Sequence, residues 1–260
     1  MHPFHRTELL VGRDGFAKLQ DARVLVVGLG GVGSFAAEAL ARSSVGTLGL
    51  VDFDQVCITN LNRQLHAFRK TVGKQKSLLM KERCELIHPK GTFRAWEAFY
   101  GAENSDEILE GPWDWVVDAI DNVTAKLHLL QACTERGIPV VSSMGAGSRL
   151  DPTKVKVSDL WRTHTDPLAR VVRKELRRRG VTGGVTAVWS EEPPNDLDVF
   201  VAEAFRCVCP NGENGMHDCE DRNIVQGTVS FLPSVFGMVA AGVVVNDLIG
   251  KPLPGTAQTA

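Results

Sequence analysis

The stretch RVLVVGLGGVGSFAAEAL, residues 23–40, decides the fold. Its β-branched run at 24–27 predicts a strand, the glycines predict a turn, and helical periodicity runs from 31 to 42. Gly28, Gly30 and Gly33 fit G-x-G-x-x-G, a spacing that lets backbone approach phosphates while the helix N-terminus supplies a favourable dipole. Asp52 closes the next strand, where a carboxylate can bond a ribose hydroxyl. This is a nucleotide-binding turn, and hydride carriers and ATP both use such a backbone.

Outward from the turn, apolar runs predict strands at 47–52, 92–99, 115–120 and 139–145, with helices at 73–87 and 122–136, the latter stopped by Gly137. The alternation predicts an α/β fold with a Rossmann-like, doubly wound, mostly parallel sheet. After GAGSRLDP the texture changes: KVKVSDLW and VTAVWSEE read as further strands around a basic helix at 166–179, an antiparallel C-terminal extension. The expected organisation is a nucleotide-binding region at 1–145 and an extension at 146–260, continuous within one domain.

A net charge of -2 predicts no polyanion partner from global electrostatics, so any nucleic-acid contact must come from a local patch. A hydrophobic content of 43% excludes disordered and collagenous classes. Six cysteines behind the polar start MHPFHRTE lead us to expect a reducing, cytoplasmic setting. FLPSVFGMVAAGVVV, residues 231–245, is shorter than the roughly 20 apolar residues of a spanning helix. Asn246 and Asp247 follow it, so it reads as a buried crossover helix, not an integral span; peripheral membrane attachment stays open.

The residues after Asp52 choose between nucleotides. DFDQVCITNLNRQ presents Asn60, Asn62, Arg63 and Gln64, and VGKQK adds Lys74 and Lys76. Such cations suit a triphosphate attacked at phosphorus, where charge must be offset as pyrophosphate departs. DAIDN puts Asp118, Asp121 and Asn122 at the carboxyl edge of the sheet, and a carboxylate there can hold magnesium, Asp121 first and Asp118 second. The Tyr-x-x-x-Lys pair of short-chain dehydrogenases is missing, which excludes one oxidoreductase class and leaves others open.

GLGGVGS, VDFD, TNLNRQ, VGKQK and DAIDN, in this order, resemble the ubiquitin-activating-enzyme-like adenylyltransferases over residues 4–145. The resemblance implies ATP, magnesium and a carboxylate converted to an acyl-adenylate. It implies an ATP site of Gly28, Gly30, Gly31, Gly33, Asp52, Asp54, Asn60, Asn62, Arg63, Lys76, Asp121 and Asn122. FHRTELLVG resembles the segment through which one subunit of such homodimers lends an arginine to its neighbour's ATP, making Arg6 the fourth catalytic candidate beside Arg63, Lys76 and Asp121. Structural readings stand beside these: Gly31 for helix packing, Asp54 and Asp118 as turn caps.

The carboxylate's identity rests on the second half. Sulfur-carrier activators of this superfamily generally hold zinc through two C-x-x-C pairs, which this chain lacks; Cys207, Cys209 and Cys219 with His217 match no zinc geometry well. They read as loop thiols, with contact to a cysteine desulfurase or sulfur-acceptor system left open, whereas Cys57, Cys84 and Cys133 read as packing residues. The predicted helix carries Arg170, Arg173, Lys174, Arg177, Arg178 and Arg179, opposite a stripe of Leu168, Val172 and Leu176. In a slightly acidic chain that concentration points to a phosphate backbone. SDxxxTxxDPLARxVRxxLRxxG, residues 158–180, resembles the tRNA threonylcarbamoyladenosine dehydratases. That family implies adenylation of a threonine carboxylate beside the anticodon, then ring closure by the ureido group with loss of AMP. Arg170, Arg173, Lys174, Arg177 and Arg178 are then the tRNA-binding candidates, and a monovalent cation is the remaining cofactor considered. The alternatives are an activator of a sulfur-carrier protein's C-terminal glycine, and a non-catalytic RNA-binding module.

Overall fold

The computed structural model describes residues 2–198 and 227–257. Helix α1 (His5–Asp21) leads into β1 (Arg23–Val27), α2 (Gly33–Arg42) and β2 (Thr47–Val51). After a long loop come α3 (Lys76–Ile87), β3 (Thr92–Trp96), the short α4 (Ser105–Leu109) and β4 (Trp115–Asp118). Then α5 (Val123–Glu135) and β5 (Val140–Ser143) follow, before β6 (Val155–Asp159), α6 (Pro167–Arg178), β7 (Val185–Ser190) and α7 (Phe231–Leu248).

The strands form one sheet in the order β3-β2-β1-β4-β5-β7-β6. Every described pairing is parallel except β6 against β7, so the antiparallel extension is a single edge pair joined to the same sheet. Strands β1 and β4 are apolar and covered on both faces, which is why they read as continuous hydrophobic runs. Helices α2, α3 and α7 fill one face around Leu40, Met80 and Phe236; α4, α5 and α6 fill the other around Ile108, Leu130 and Val172.

The order of strand addition reverses between β1 and β4, which run parallel, and this switch point at their carboxyl ends is where ligands of such sheets bind. Helix α7 supports it from below: Phe236, Ala240 and Val244 are buried, while Phe231 and Met238 face outward. It is the one helix among the described residues with the length and apolarity to cross a membrane, at 18 residues and a mean hydropathy of 1.6. It packs on the sheet as the expected buried helix, but no described strand follows it, so it is not a crossover; it runs on to Leu248 with Asp247 accepting from the Trp115 indole at 2.9 Å.

Sequence patterning did not reveal α1 or α4. Helix α1 carries Gly12 with φ of 79°, which kinks it and breaks the amphipathic period. Helix α3 begins three residues later than expected because Gly73 sits in a left-handed turn at φ 83°. β4 ends at Asp118, whose own carboxylate caps the turn at the Ile120 N–H at 3.1 Å.

Candidate active site

The turn after β1 is built by backbone conformation and close approach. Gly28 has φ of 87°, and a Cβ there would lie 2.6 Å from the Ala119 carbonyl. At Gly33 a Cβ would sit 1.8 Å from the Gly28 carbonyl, so only glycine lets α2 start this close to its strand. Gly30 differs: a Cβ would find only the Gln64 amide at 3.8 Å, leaving the turn open on that side. Gly31 is packed, with Pro233 of α7 at 3.0 Å and Arg63 at 3.4 Å from the same hypothetical atom.

Asp52, at the end of β2, clasps this turn by accepting from the Leu29 N–H at 2.6 Å and the Asp54 N–H at 2.8 Å. Lys76, the first residue of α3, is buried and donates to Asp54 at 2.7 Å. Burial pulls the Lys76 ammonium down, but the Asp52 and Asp54 charges, with a smaller share from Asp121, more than offset it and raise its pKa. Burial raises the Asp52 carboxyl in turn, opposed by Lys76. Lys76 therefore holds its charge at neutral pH, and its ammonium has three donors, of which Asp54 takes one.

Arg63 donates to the Thr59 carbonyl and to Asn62 Oδ1, both at 2.9 Å. Asn62 donates to the Thr228 carbonyl at 3.0 Å, tying this loop to the approach of α7. Asp121 is exposed at the rim and acts electrostatically on Lys76. The structure thus groups Asp52, Asp54 and Lys76 at the glycine turn, with Asp121 in electrostatic reach of Lys76, and with Arg63 beside Gly31. Arg6 is exposed on the first turn of α1.

Two expectations change. Asp118 is withdrawn as a metal ligand: it is fully buried, with one oxygen on the Ile120 N–H and the other shared by Lys126 at 2.5 Å and the Ser142 hydroxyl. Arg173 turns inward and donates to the Thr163 carbonyl at 2.7 Å and to its hydroxyl, so it braces the loop before α6. Asn122 caps α5 through the Ala125 N–H at 3.0 Å, and Asn60 accepts from the Cys57 N–H at 2.9 Å, bonds that use only the amide oxygen of each.

The rest of α6 stays outward. Arg170, Lys174, Arg177 and Arg178 are exposed, Arg178 pairing with Glu175 at 2.8 Å, while Ala169, Val172 and Leu176 are buried. Burial, then the neighbouring Arg177 charge, outweigh Asp166 and lower the Arg173 guanidinium. Cys84 and Cys133 are buried and inert: burial pushes the Cys84 thiol up to about 12, and the Cys133 thiol rises for the same reason. Cys207, Cys209, Cys219 and His217 lie outside the described residues.

Sequence reasoning missed two buried ion pairs, Lys126 with Asp118 and Arg149 with Asp166. The first had a faint signal, since Lys126 interrupts the apolar stripe of α5 between Ala125 and Leu127; the second pairs distant loops and had none.

A glycine turn open on one side, an acid at the end of β2, a buried lysine within electrostatic reach of an exposed carboxylate, and an arginine packed beside the turn are a donor set suited to a nucleotide triphosphate. The model described as ThiF family matches residues 4–259. This chain belongs to the ThiF family. Within that family it is 43% identical over 249 residues to the tRNA threonylcarbamoyladenosine dehydratase of Bacillus subtilis (strain 168), covering 96% of this chain and 95% of that protein. The fold matches a crystal structure of E. coli tRNA N6-threonylcarbamoyladenosine dehydratase in complex with ATP, with a TM-score of 0.81, 34% identity, and coverage of 96% and 94% of the two chains. The molybdopterin-synthase adenylyltransferase of Salmonella typhimurium is 36% identical over 150 residues, only 57% of this chain and 59% of that protein. That likeness spans little more than half of this chain, whereas the likeness to the dehydratases spans nearly all of it.

Proposed function

We propose that this ThiF-family chain is an ATP-dependent tRNA-modifying enzyme that cyclises threonylcarbamoyladenosine next to the anticodon. The observation that carries the reading is an open glycine turn clasped by Asp52, with Lys76 buried beside Asp54, in the same sheet-bound unit as an exposed basic helix. Near-full-length similarity to proteins named for this reaction supports it. Residues 1–145 supply the adenylation region and 146–260 the RNA-facing extension of one domain.

The substrate's threonine carboxylate attacks the α-phosphorus of ATP; the bond to the β-phosphate oxygen breaks, and pyrophosphate leaves. Lys76 and Arg63 offset charge that grows on the phosphates, in a crevice where such donors act more strongly than in water. Asp52 adds a ribose hydroxyl to the two N–H groups it already accepts. Asp121, the carboxylate at the rim, fits magnesium by donor chemistry, and the ion when bound supplies further charge stabilisation. The ureido group of the same side chain then attacks the acyl carbon and AMP departs with its bonding pair, so the nucleoside loses one water. No enzyme nucleophile is required, because attack within one side chain has the proximity advantage already.

Arg6 completes the site from the partner subunit of a homodimer in this reading, and the enzyme works beside its tRNA in the cytoplasm. A monovalent cation, peripheral membrane contact and a sulfur-transfer partner are not needed by the chemistry. Incubating the purified protein with ATP, magnesium and threonylcarbamoyladenosine-bearing tRNA should release AMP and yield a nucleoside lighter by one water. ATP turnover with an unchanged nucleoside mass rejects the reading; pyrophosphate exchange stimulated only by a sulfur-carrier protein replaces it with the alternative.

A further inference from the structure

The Arg149–Asp166 pair lies away from the nucleotide turn, yet it is among the most enclosed polar features of the chain. Its side chains are 1% and 0% exposed, with Nη2 and Oδ2 at 3.0 Å. Asp166 makes three connections. Oδ1 accepts the Ala169 N–H at 2.9 Å and so caps α6; Oδ2 accepts both Arg149 and the Gly145 N–H, the latter at 3.2 Å. Arg149 donates to the Gly145 carbonyl and, through Nε, to the Glu192 carbonyl at 2.7 Å. A Cβ on Gly145 would meet Arg149 at 2.9 Å and Asp166 at 3.4 Å, so the loop after β5 is moulded onto the pair.

That loop begins where β5 ends. Its preceding residues, Ser142 and Ser143, hold Lys126, at 3.3 Å from the Ser142 hydroxyl and 3.0 Å from the Ser143 carbonyl. Lys126 is bound to Asp118, whose turn carries Asp121. Two sets of buried polar contacts, joined by the backbone of residues 143–145, thus connect the turn that carries Asp121 to the N-terminus of α6. Along α6 the exposed Arg170, Lys174 and Arg177 lead away from that end, Arg177 lying roughly 16 Å from Asp166 at about 1.5 Å per residue.

We propose that Arg149 and Asp166 are positioning residues for the RNA substrate: they set the register of the basic helix against the adenylation crevice, so that phosphates held on α6 deliver the modified nucleoside to ATP. The inference rests on the tRNA reading above. Phosphate contacts fix the register of the RNA on the surface that holds them, so the placement of α6 itself decides where the nucleoside lands, and a misplacement on the order of 1 Å costs about a hundredfold in rate.

The test compares wild type with Asp166→Asn, which keeps an acceptor for the α6 cap but removes the charge, and with the neutral pair Arg149→Met/Asp166→Asn, which leaves no buried charge unpaired. Each protein is assayed for ATP KM, for affinity and salt dependence toward tRNA carrying threonylcarbamoyladenosine, and for kcat. The expected result is a kcat lowered about a hundredfold, with ATP KM and the tRNA salt slope unchanged. A kcat equal to wild type in the neutral pair overturns the proposal. So does a parallel loss of ATP affinity, tRNA affinity and melting temperature, which marks a merely structural role. Should wild type itself leave the tRNA unchanged, the functional reading has failed and the proposal falls with it.

Discussion

Lys76 and His66 show how burial assigns opposite fates to two cationic residue types. Lys76 is buried against Asp52 and Asp54 and stays charged. His66 is 3% exposed and neither ring nitrogen meets a protein partner; burial first, then the Lys76 and Arg83 charges, lower its pKa from 6.5 to about 3. The folded chain keeps His66 neutral down to about pH 3, whereas the unfolded chain protonates it near 6.5. Between those values the unfolded state binds the extra proton, so this contribution to stability is full above pH 6.5 and shrinks as the pH falls. From pH 8 to pH 5 the loss should be about 2 kcal/mol. Denaturant titrations at the two pH values should show that slope in wild type and its removal in His66→Leu; an undiminished slope would place the proton uptake elsewhere. Neither fate was readable locally: His66 stands in a polar loop sequence, and only packing against α3 buries it.

At the scale of the element, α6 was legible because its chemistry is repeated along one helix. Asp-Pro is a start signal, Gly180 follows the end, and the expected stripe of Leu168, Val172 and Leu176 holds for Val172 and Leu176, with Ala169 buried and Leu168 half-buried. What the pattern concealed was the direction of one side chain. Arg173 lies between the buried and exposed faces and has a loop carbonyl within reach, so it satisfies Thr163 and does not face solvent. The two classes of cation should separate by experiment. Arg170→Ala with Lys174→Ala should weaken tRNA binding and shift the slope of log affinity against log salt by roughly one to two units, leaving ATP KM unaltered. Arg173→Ala should instead lower the melting temperature more than the salt slope. Equal salt slopes in wild type and the double variant would remove α6 from the RNA interface.

For the whole molecule, the proposed site is shared between subunits, and that has a numerical consequence. Arg6→Ala and Lys76→Met should each be inactive alone as homodimers. Mixed under subunit exchange, half the dimers become heterodimers with one intact site, restoring roughly a quarter of wild-type activity. Exchange verified by mass, with no recovery, would confine the site to one chain. Much of this architecture was open to a reader of the sequence, because period and glycine spacing are local properties that the backbone obeys directly. The nucleotide turn, the parallel sheet, the apolar helix and the basic helix follow from residues a few positions apart. Tertiary structure alone decided which charges are spent inside: Asp118 on Lys126, Arg149 on Asp166 and Arg173 on Thr163. Those pairings join residues from separate elements, and a buried charge finds its partner through the path of the chain in space, which short-range spacing does not encode.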